Sequence, residues 1–264
     1  MESSRCWTMS DTVGRLLAAG NVAEVFEWDF RVVKLYRSPT AKPAAFREAA
    51  IHAAVEEIGI PVPAVWGVRQ IGGRWGIVFE RVRQASFAEQ MRADPIAMPR
   101  YLENLAQLHT FIHARPAPEL SSLKIRLATR IARTELLDEP RKQVLLGGLA
   151  AMPEGDRLCH GDFHPINVLG ELSQPVVIDW PDACRGDPAA DVCRSYLLLR
   201  LHAEEIAEPY LETYCRINDA PESGRPFNKV TRQAILDWLP YVAAARLAQN
   251  LPDDFDRLLK IVYP

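Results

Sequence analysis

The sequence predicts an α+β chain in two parts: a small antiparallel sheet carrying one helix, then a larger, mainly helical region. Three observations predict it. Two hairpin patterns lie in the first 82 residues, at about 22–36 and 64–82. One Ala-rich helical stretch opened by Pro43 runs between them. Beyond residue 82 the periodicity turns helical, apart from a polar stretch near 159–179. The expected parts are therefore residues 1–82 and 83–264.

In chain order, Met1 to Ser10 reads as a frayed extension and Val13 to Ala18 as a short apolar piece leading to Gly20. Val22 to Trp28 alternates in part, Asp29-Phe30 makes a tight turn, and Arg31 to Tyr36 is a second strand. The turn at Ala19-Gly20-Asn21 suits phosphates, but one glycine is a weak signal. Lys34 stands in an apolar strand, where an unpaired ammonium is costly. Either its stem carries the charge out to solvent, or it grips phosphates and pairs with a helix glutamate. Pro43 to Val55 supplies such a helix, with Glu56 and Glu57 as its solvated end. Gly59 to Pro63 breaks it, and the second hairpin turns at Gly72-Gly73.

Helices are expected over Ser86–Ala93, Met98–His113, Leu120–Leu137 and Arg141–Ala151. Tyr101, Leu105, Leu108 and Ile112 share one stripe of the second. Asp187 before Pro188 is good chemistry for starting another, Val192 to Leu201. Three more follow at Ala203–Arg216, Lys229–Gln249 and Asp253–Val262. Glu204, Glu205, Glu208 and Glu212 give an acidic face, read either as an attractor for a cationic acceptor or as a solvated surface. Tyr196, Tyr210, Tyr214, Trp238 and Tyr241 read either as core or as a cage for a quaternary amine.

The chemistry concentrates between Cys159 and Asp191. Pro165 makes His160 to Pro165 a loop, with Asp162 in a His-Gly-Asp turn. Ile166 to Leu169 reads as a short strand, Gly170 to Gln174 as a turn, and Pro175 to Ile178 as a second arm ending at Asp179. Such a hairpin would bring Asn167 and Asp179 to one rim, beside the Asp162 loop. A carboxylate and a carboxamide oxygen are hard ligands that suit Mg²⁺ shared with phosphate oxygens. Asp162 can accept a hydroxyl proton or orient the hydroxyl. Cys159, His160, Asp162 and His164 are also conceivable zinc ligands, yet no Cys-x₂-Cys or His-x₃-His partner lies nearby. His109 and His113, four apart, suggest a metal pair or core histidines; no third ligand follows in sequence.

Composition sets bounds. At 264 residues, with 48% hydrophobic and 25% charged residues, the chain can bury a substantial core as a soluble protein. A net charge of −3 gives no electrostatic case for nucleic acid or an anionic membrane. Five scattered cysteines suit a reducing cytosol better than a disulfide framework. With no signal-peptide core and no apolar run of about 18 residues, a cytoplasmic location is expected.

The motifs HGDFHPINVL, VVIDW and GDPAAD, in that order, resemble the aminoglycoside phosphotransferase and choline kinase branch of the protein-kinase-like superfamily. That branch writes its catalytic loop H-G-D-x-x-x-x-N where protein kinases write H-R-D-x-x-x-x-N; the acid that opens D-F-G in protein kinases stands here as Asp179-Trp180. The resemblance implies a bilobal protein-kinase-like fold and Mg²⁺-dependent transfer of the γ-phosphoryl group of ATP to a hydroxyl of a small-molecule acceptor. By the same resemblance Asp162 is catalytic, Asn167 and Asp179 hold metal, and Lys34 paired with Glu48 grips phosphates. Phe79, Glu80, Arg81 and Val82 form the hinge where adenine binds through backbone groups. Backbone readout leaves no side-chain signature, so GTP stands beside ATP. His160 props the loop, Asp187 and Asp191 support it, and His109 is packing.

Two departures are visible: only Gly20 stands where protein kinases carry a G-x-G-x-x-G loop, and no Ala-Pro-Glu segment follows Asp179. The second speaks against a protein kinase. A nucleotide-binding module without transfer activity is the rival from another class. The acceptor, and the choice between monomer and homodimer, have no signature here.

Overall fold

The hairpin signals at Asp29-Phe30 and Gly72-Gly73 mark real turns. The computed structural model describes residues 12–37, 42–219 and 229–263, so the stretch Met1–Ser10 lies outside the described residues. The chain begins with β1 (Leu16–Ala19), β2 (Ala23–Trp28), β3 (Arg31–Tyr36), α1 (Lys42–Glu57), β4 (Val65–Ile71) and β5 (Arg74–Phe79). The strands form one antiparallel sheet in the order β1-β2-β3-β5-β4. Trp28 pairs with Arg31, which leaves a two-residue turn with Asp29 left-handed at φ 54°. Ile71 pairs with Arg74 across the two glycines, at φ 56° and 79°. Gly-Gly supplies both positive φ values without steric cost.

Successive strand residues point to opposite faces of a sheet. Val33 and Leu35 enter one cluster with Trp28, Ile71 and Val78. Tyr36 joins a second with Ala23, Ala45 of α1 and Ile77. Lys34 and Tyr36 therefore share the helix-bearing face, and α1 presents Ala45, Glu48, His52 and Val55 as its buried stripe. β1 is a strand where the sequence reading saw only an apolar lead-in. All four of its side chains are exposed, so no burial alternation marked it.

The remaining elements are α2 (Phe87–Ala93), α3 (Met98–His113), α4 (Leu123–Arg133), α5 (Glu139–Ala151), β6 (Arg157–Cys159), β7 (Val168–Glu171), β8 (Gln174–Val177), β9 (Cys184–Gly186), α6 (Pro188–His202), α7 (Glu204–Asp219), α8 (Arg232–Asp237), α9 (Leu239–Leu247) and α10 (Phe255–Val262). β6 pairs with β9, and β7 with β8. The chain forms two compact units, Met1–Gln84 with Val176–Pro181, and Ala85–Pro175 with Asp182–Pro264.

Caps explain several helix starts. Ser86 and Glu89 close a capping box on α2, and Ser122, Asp138 and Asp187 cap α4, α5 and α6. The helix expected over Leu120–Leu137 is consequently shorter, running from the Ser122 cap to Arg133. The single helix expected over Lys229–Gln249 is two, α8 and α9, because Pro240 sits in the first turn of α9 and cannot continue a preceding helix. α6 is buried along almost its whole length, so its two charged inward groups, Asp191 and Arg194, stand out physically. No helix among the described residues is long and apolar enough to cross a membrane.

Candidate functional site

In the first unit the site is an ion cluster built on strand alternation. Lys34 Nζ lies 2.8 Å from Glu48 Oε1 and 2.6 Å from Asp179 Oδ1. The reading in which the Lys34 stem carries its charge to solvent is thereby replaced: the ammonium is held between two carboxylates. Burial works against the charge, but Asp179 and Glu48 outweigh it and raise the Lys34 pKa above its ordinary value. Tyr36 donates its hydroxyl to Glu48 Oε2, fixing the other oxygen of that carboxylate. Asp179 takes the left-handed conformation, φ 66°, which short polar side chains tolerate better than most. Two contacts pin its arm: Val177 N–H donates to the Pro61 carbonyl at 2.8 Å, and Trp180 Nε1–H to the Val177 carbonyl at 3.1 Å. Of the residues expected at the hinge, Phe79 ends β5 against the His52 ring, with centroids 5.0 Å apart. Glu80 N–H donates to Ala64 O at 2.8 Å, and Arg81 pairs with Glu27 at 2.6 Å. Val82 follows, half-buried.

In the second unit the His160-Gly161-Asp162 turn leaves β6 over a buried carboxylate. Asp191 Oδ2 accepts from His160 N–H at 2.7 Å, and its Oδ1 from Gly161 N–H at 2.8 Å. Asp162 N–H in turn donates to His160 Nδ1 at 3.1 Å. Gly161 is left-handed at φ 80°, and a Cβ there would meet the Asp182 carbonyl oxygen at 2.5 Å. The residue must be glycine.

The same Asp191 gathers two histidines. His109 Nε2 is 3.0 Å and His113 Nε2 3.3 Å from Asp191 Oδ2, with all three side chains fully buried. A carboxylate only accepts, so both Nε2 atoms donate. Their Nδ1 atoms then accept from the Tyr210 and Tyr214 hydroxyls, at 2.6 and 2.7 Å. Burial, helped by His113, pushes His109 down to about 3, so it is neutral. Burial alone would raise Asp191, yet the bonds from His109 and His113 hold it well below the usual carboxylate range. These three side chains lie close enough to share a metal ion, and Asp191 is a third partner that sequence spacing did not reveal. Hydrogen bonds alone satisfy the arrangement, which fits the core reading of the histidines. Tyr210, Tyr214 and Trp238 are equally buried and form no amine cage.

Asp162 itself is partly exposed, at 31%. Its Oδ1 accepts from Arg194 Nη2 at 3.2 Å, and its Oδ2 lies 3.5 Å from His164 Nε2. Burial would raise this carboxyl, but His164 and Arg194 outweigh it and hold it well below its ordinary value. An ionised carboxylate of this kind accepts a hydrogen bond from a hydroxyl readily and holds a proton poorly. Asn167 does not lie on the expected strand. Pro165 starts a 3-10 turn, Pro165–Asn167, closed by Asn167 N–H to His164 O at 2.9 Å. Asn167 Nδ2 donates to the Asp162 carbonyl at 2.9 Å, which orients the carboxamide. Asn167 and Asp179 belong to different units, and each is described within its own.

Asp187 caps α6 through Ala189 N–H at 2.9 Å, so Asp191 rather than Asp187 carries the loop. Asp182 is held by Arg126 at 3.2 Å and Arg130 at 2.6 Å. Among the described residues, Cys159, His160, Asp162 and His164 do not come together as a group that could hold a metal ion, so the zinc reading has no support. Glu204, Glu205, Glu208 and Glu212 line the exposed side of α7, with Glu208 bound by Arg232 at 2.7 Å. The sequence reading missed Arg194; its signal was a lone charge in the run from Val192 to Leu199.

The sequence pattern of the phosphotransferase enzyme family matches residues 24–227. Solved structures of similar shape include a thermostable mutant of aminoglycoside phosphotransferase APH(4)-Ia in ternary complex with ADP and hygromycin B (17% identity, 96% of this chain and 94% of that one, TM-score 0.68). Another is the streptomycin-ATP complex of APH(2")-IIa, at 16% identity, 98% and 93% coverage, and a TM-score of 0.61. A choline/ethanolamine kinase family protein from Mesorhizobium loti matches at 15% identity, 94% and 84% coverage, and a TM-score of 0.60. At these identities the likeness shows the fold, which is protein-kinase-like. No curated protein matches the chain.

Proposed function

This chain belongs to the phosphotransferase enzyme family, and on that premise we propose that it transfers the γ-phosphoryl group of ATP or GTP to a hydroxyl of a small molecule. The observation that carries the reading is the Lys34 ammonium held by Glu48 at 2.8 Å and Asp179 at 2.6 Å. An ammonium so oriented is positioned to bind phosphate oxygens, the task phosphoryl transfer demands most. The hinge Phe79, Glu80, Arg81 and Val82 receives the base through backbone groups.

Asp162 orients the acceptor hydroxyl. The acceptor oxygen bonds to the γ-phosphorus as the bond to the β–γ bridging oxygen breaks. The nucleoside diphosphate leaves with that electron pair, and the hydroxyl proton passes along its hydrogen bond to Asp162 and on to solvent. Because Asp162 is held well below the usual carboxylate range, it works mainly by orientation. Asp179 in the first unit and Asn167 in the second each offer a hard oxygen of the kind Mg²⁺ takes; when bound, such an ion would neutralise charge on the phosphates. A thermal-shift titration with ATP, with and without Mg²⁺, followed by an assay of acceptor-dependent ADP release, tests the reading. Mg²⁺-dependent stabilisation together with transfer is expected; binding without transfer to any acceptor would contradict it.

A further inference from the structure

Arg194 of α6 grips the His-Gly-Asp turn at two points. Its Nε–H donates to the Gly161 carbonyl at 3.3 Å and its Nη2 to Asp162 Oδ1 at 3.2 Å, so one guanidinium spans backbone and side chain. Arg194 is itself held from beyond the end of α9. The same Nη2 donates to Gln249 Oε1 at 3.3 Å, and that oxygen also accepts from Arg246 Nη1 at 2.8 Å. A guanidinium has donors and no acceptor, so the Gln249 amide must turn its oxygen toward both arginines.

The chain fixes the place from which Gln249 reaches. Its N–H closes on the Arg246 carbonyl at 2.9 Å, Asn250 N–H closes on Leu247 O at 3.1 Å, and Asn250 is left-handed at φ 54°. This is a helix end of the kind that an αL residue terminates.

The two arginines are buried, with side chains 9% and 7% exposed. Each has a carboxylate of its own: Asp162 for Arg194, and Asp254 at 2.7 Å for Arg246. Their charges are balanced, yet Arg246 still opposes the charge of Arg194. An oxygen between them gives both a common acceptor and holds the gap at a set width. An apolar side chain there would leave two like charges facing each other with a hydrogen bond lost on each side. Arg194 would then be free to shift, and its two contacts with the turn would shift with it.

We propose that Gln249 is a positioning residue for the transfer step: its amide oxygen fixes Arg194, and through Arg194 the Asp162 carboxylate that meets the acceptor hydroxyl. This rests on the phosphotransfer reading above and adds a residue to it. Two measurements on the full chain test it. One is hydrogen exchange, by mass spectrometry, in the peptide covering residues 160–164. The other is ADP release from Mg²⁺-ATP with water as the acceptor; a water oxygen bonds to the γ-phosphorus as the bond to the β–γ bridging oxygen breaks, giving ADP and inorganic phosphate. Gln249→Met fills the same space without an acceptor, whereas Gln249→Glu keeps one. Gln249 is only half-buried, so neither change opens the core. Gln249→Met should speed exchange in the turn by about tenfold while α7 exchanges as before. It should lower kcat by about 10–100-fold with KM for ATP unchanged. Gln249→Glu should stay near wild type in both. In an Arg194→Met background, Gln249→Met should add little to either effect, since its action runs through Arg194. Equal behaviour of the Met and Glu variants, or exchange rising alike in the turn and α7, would overturn the proposal and leave phosphotransfer standing. A wild type that neither binds nor hydrolyses Mg²⁺-ATP would count against the phosphotransfer reading instead, and the exchange measurement would still decide whether Gln249 fixes the turn.

Discussion

Asp162 owes its character to its neighbours. A free aspartate in a turn would titrate in the ordinary range. Here Arg194 at 3.2 Å and His164 at 3.5 Å keep it ionised against the effect of burial. Its backbone depends on Gly161, left-handed and pressed against the Asp182 carbonyl. Gly161→Ala is therefore expected to lower folding stability by about 1–3 kcal/mol, because an alanine must adopt positive φ and displace backbone. Urea denaturation measures it, and an unchanged midpoint would contradict the turn geometry. At this scale the sequence was informative wherever chemistry sits in a local pattern: His-Gly-Asp for the turn, and Lys34 in an apolar strand. Arg194 offered only half of such a signal, a lone charge in the run from Val192 to Leu199. Its function depends on a partner 32 residues away in the chain, which no local pattern encodes.

Among the elements, α6 and α3 do most to hold the loop. Asp191 of α6 bridges the His160 and Gly161 amides to His109 and His113 of α3, whose far nitrogens meet Tyr210 and Tyr214 of α7. Four donors converge on one carboxylate, so Asp191→Asn would turn an amide N–H toward N–H groups. The expected cost is about 3–5 kcal/mol, read by chemical denaturation, since a buried polar network loses a charged acceptor. A loss below about 1 kcal/mol would show that the network adds little. Element boundaries were legible where a cap or a Gly-Gly turn fixed them, as at Ser86 and Gly72-Gly73. They were less legible where one residue ended an otherwise continuous pattern, as Pro240 does between α8 and α9. β1, exposed on every side chain, and the 3-10 turn at Pro165–Asn167 left no periodic trace.

For the whole molecule, the buried histidine network predicts acid sensitivity. His109 is held down to about 3 in the folded chain against 6.5 when free. Between those values the unfolded chain carries a proton that the folded chain excludes. The stability this group contributes is thus fully present above about pH 6.5 and falls as pH drops, by at most ~1.4 kcal/mol per pH unit. Tm followed from pH 7 to 4 by circular dichroism should fall, and His109→Gln should flatten the slope; parallel curves would contradict the assignment. The α+β class was readable from the change of periodicity near residue 82. The acceptor was not, because no motif within residues 83–264 encodes it. The most direct test of the central claim compares Asp162→Asn with the wild type in Mg²⁺-ATP binding and in phosphoryl transfer side by side. Transfer should fall by about 10²–10⁴-fold with the nucleotide Kd nearly unchanged. Equal losses of binding and transfer, or undiminished transfer, would contradict it.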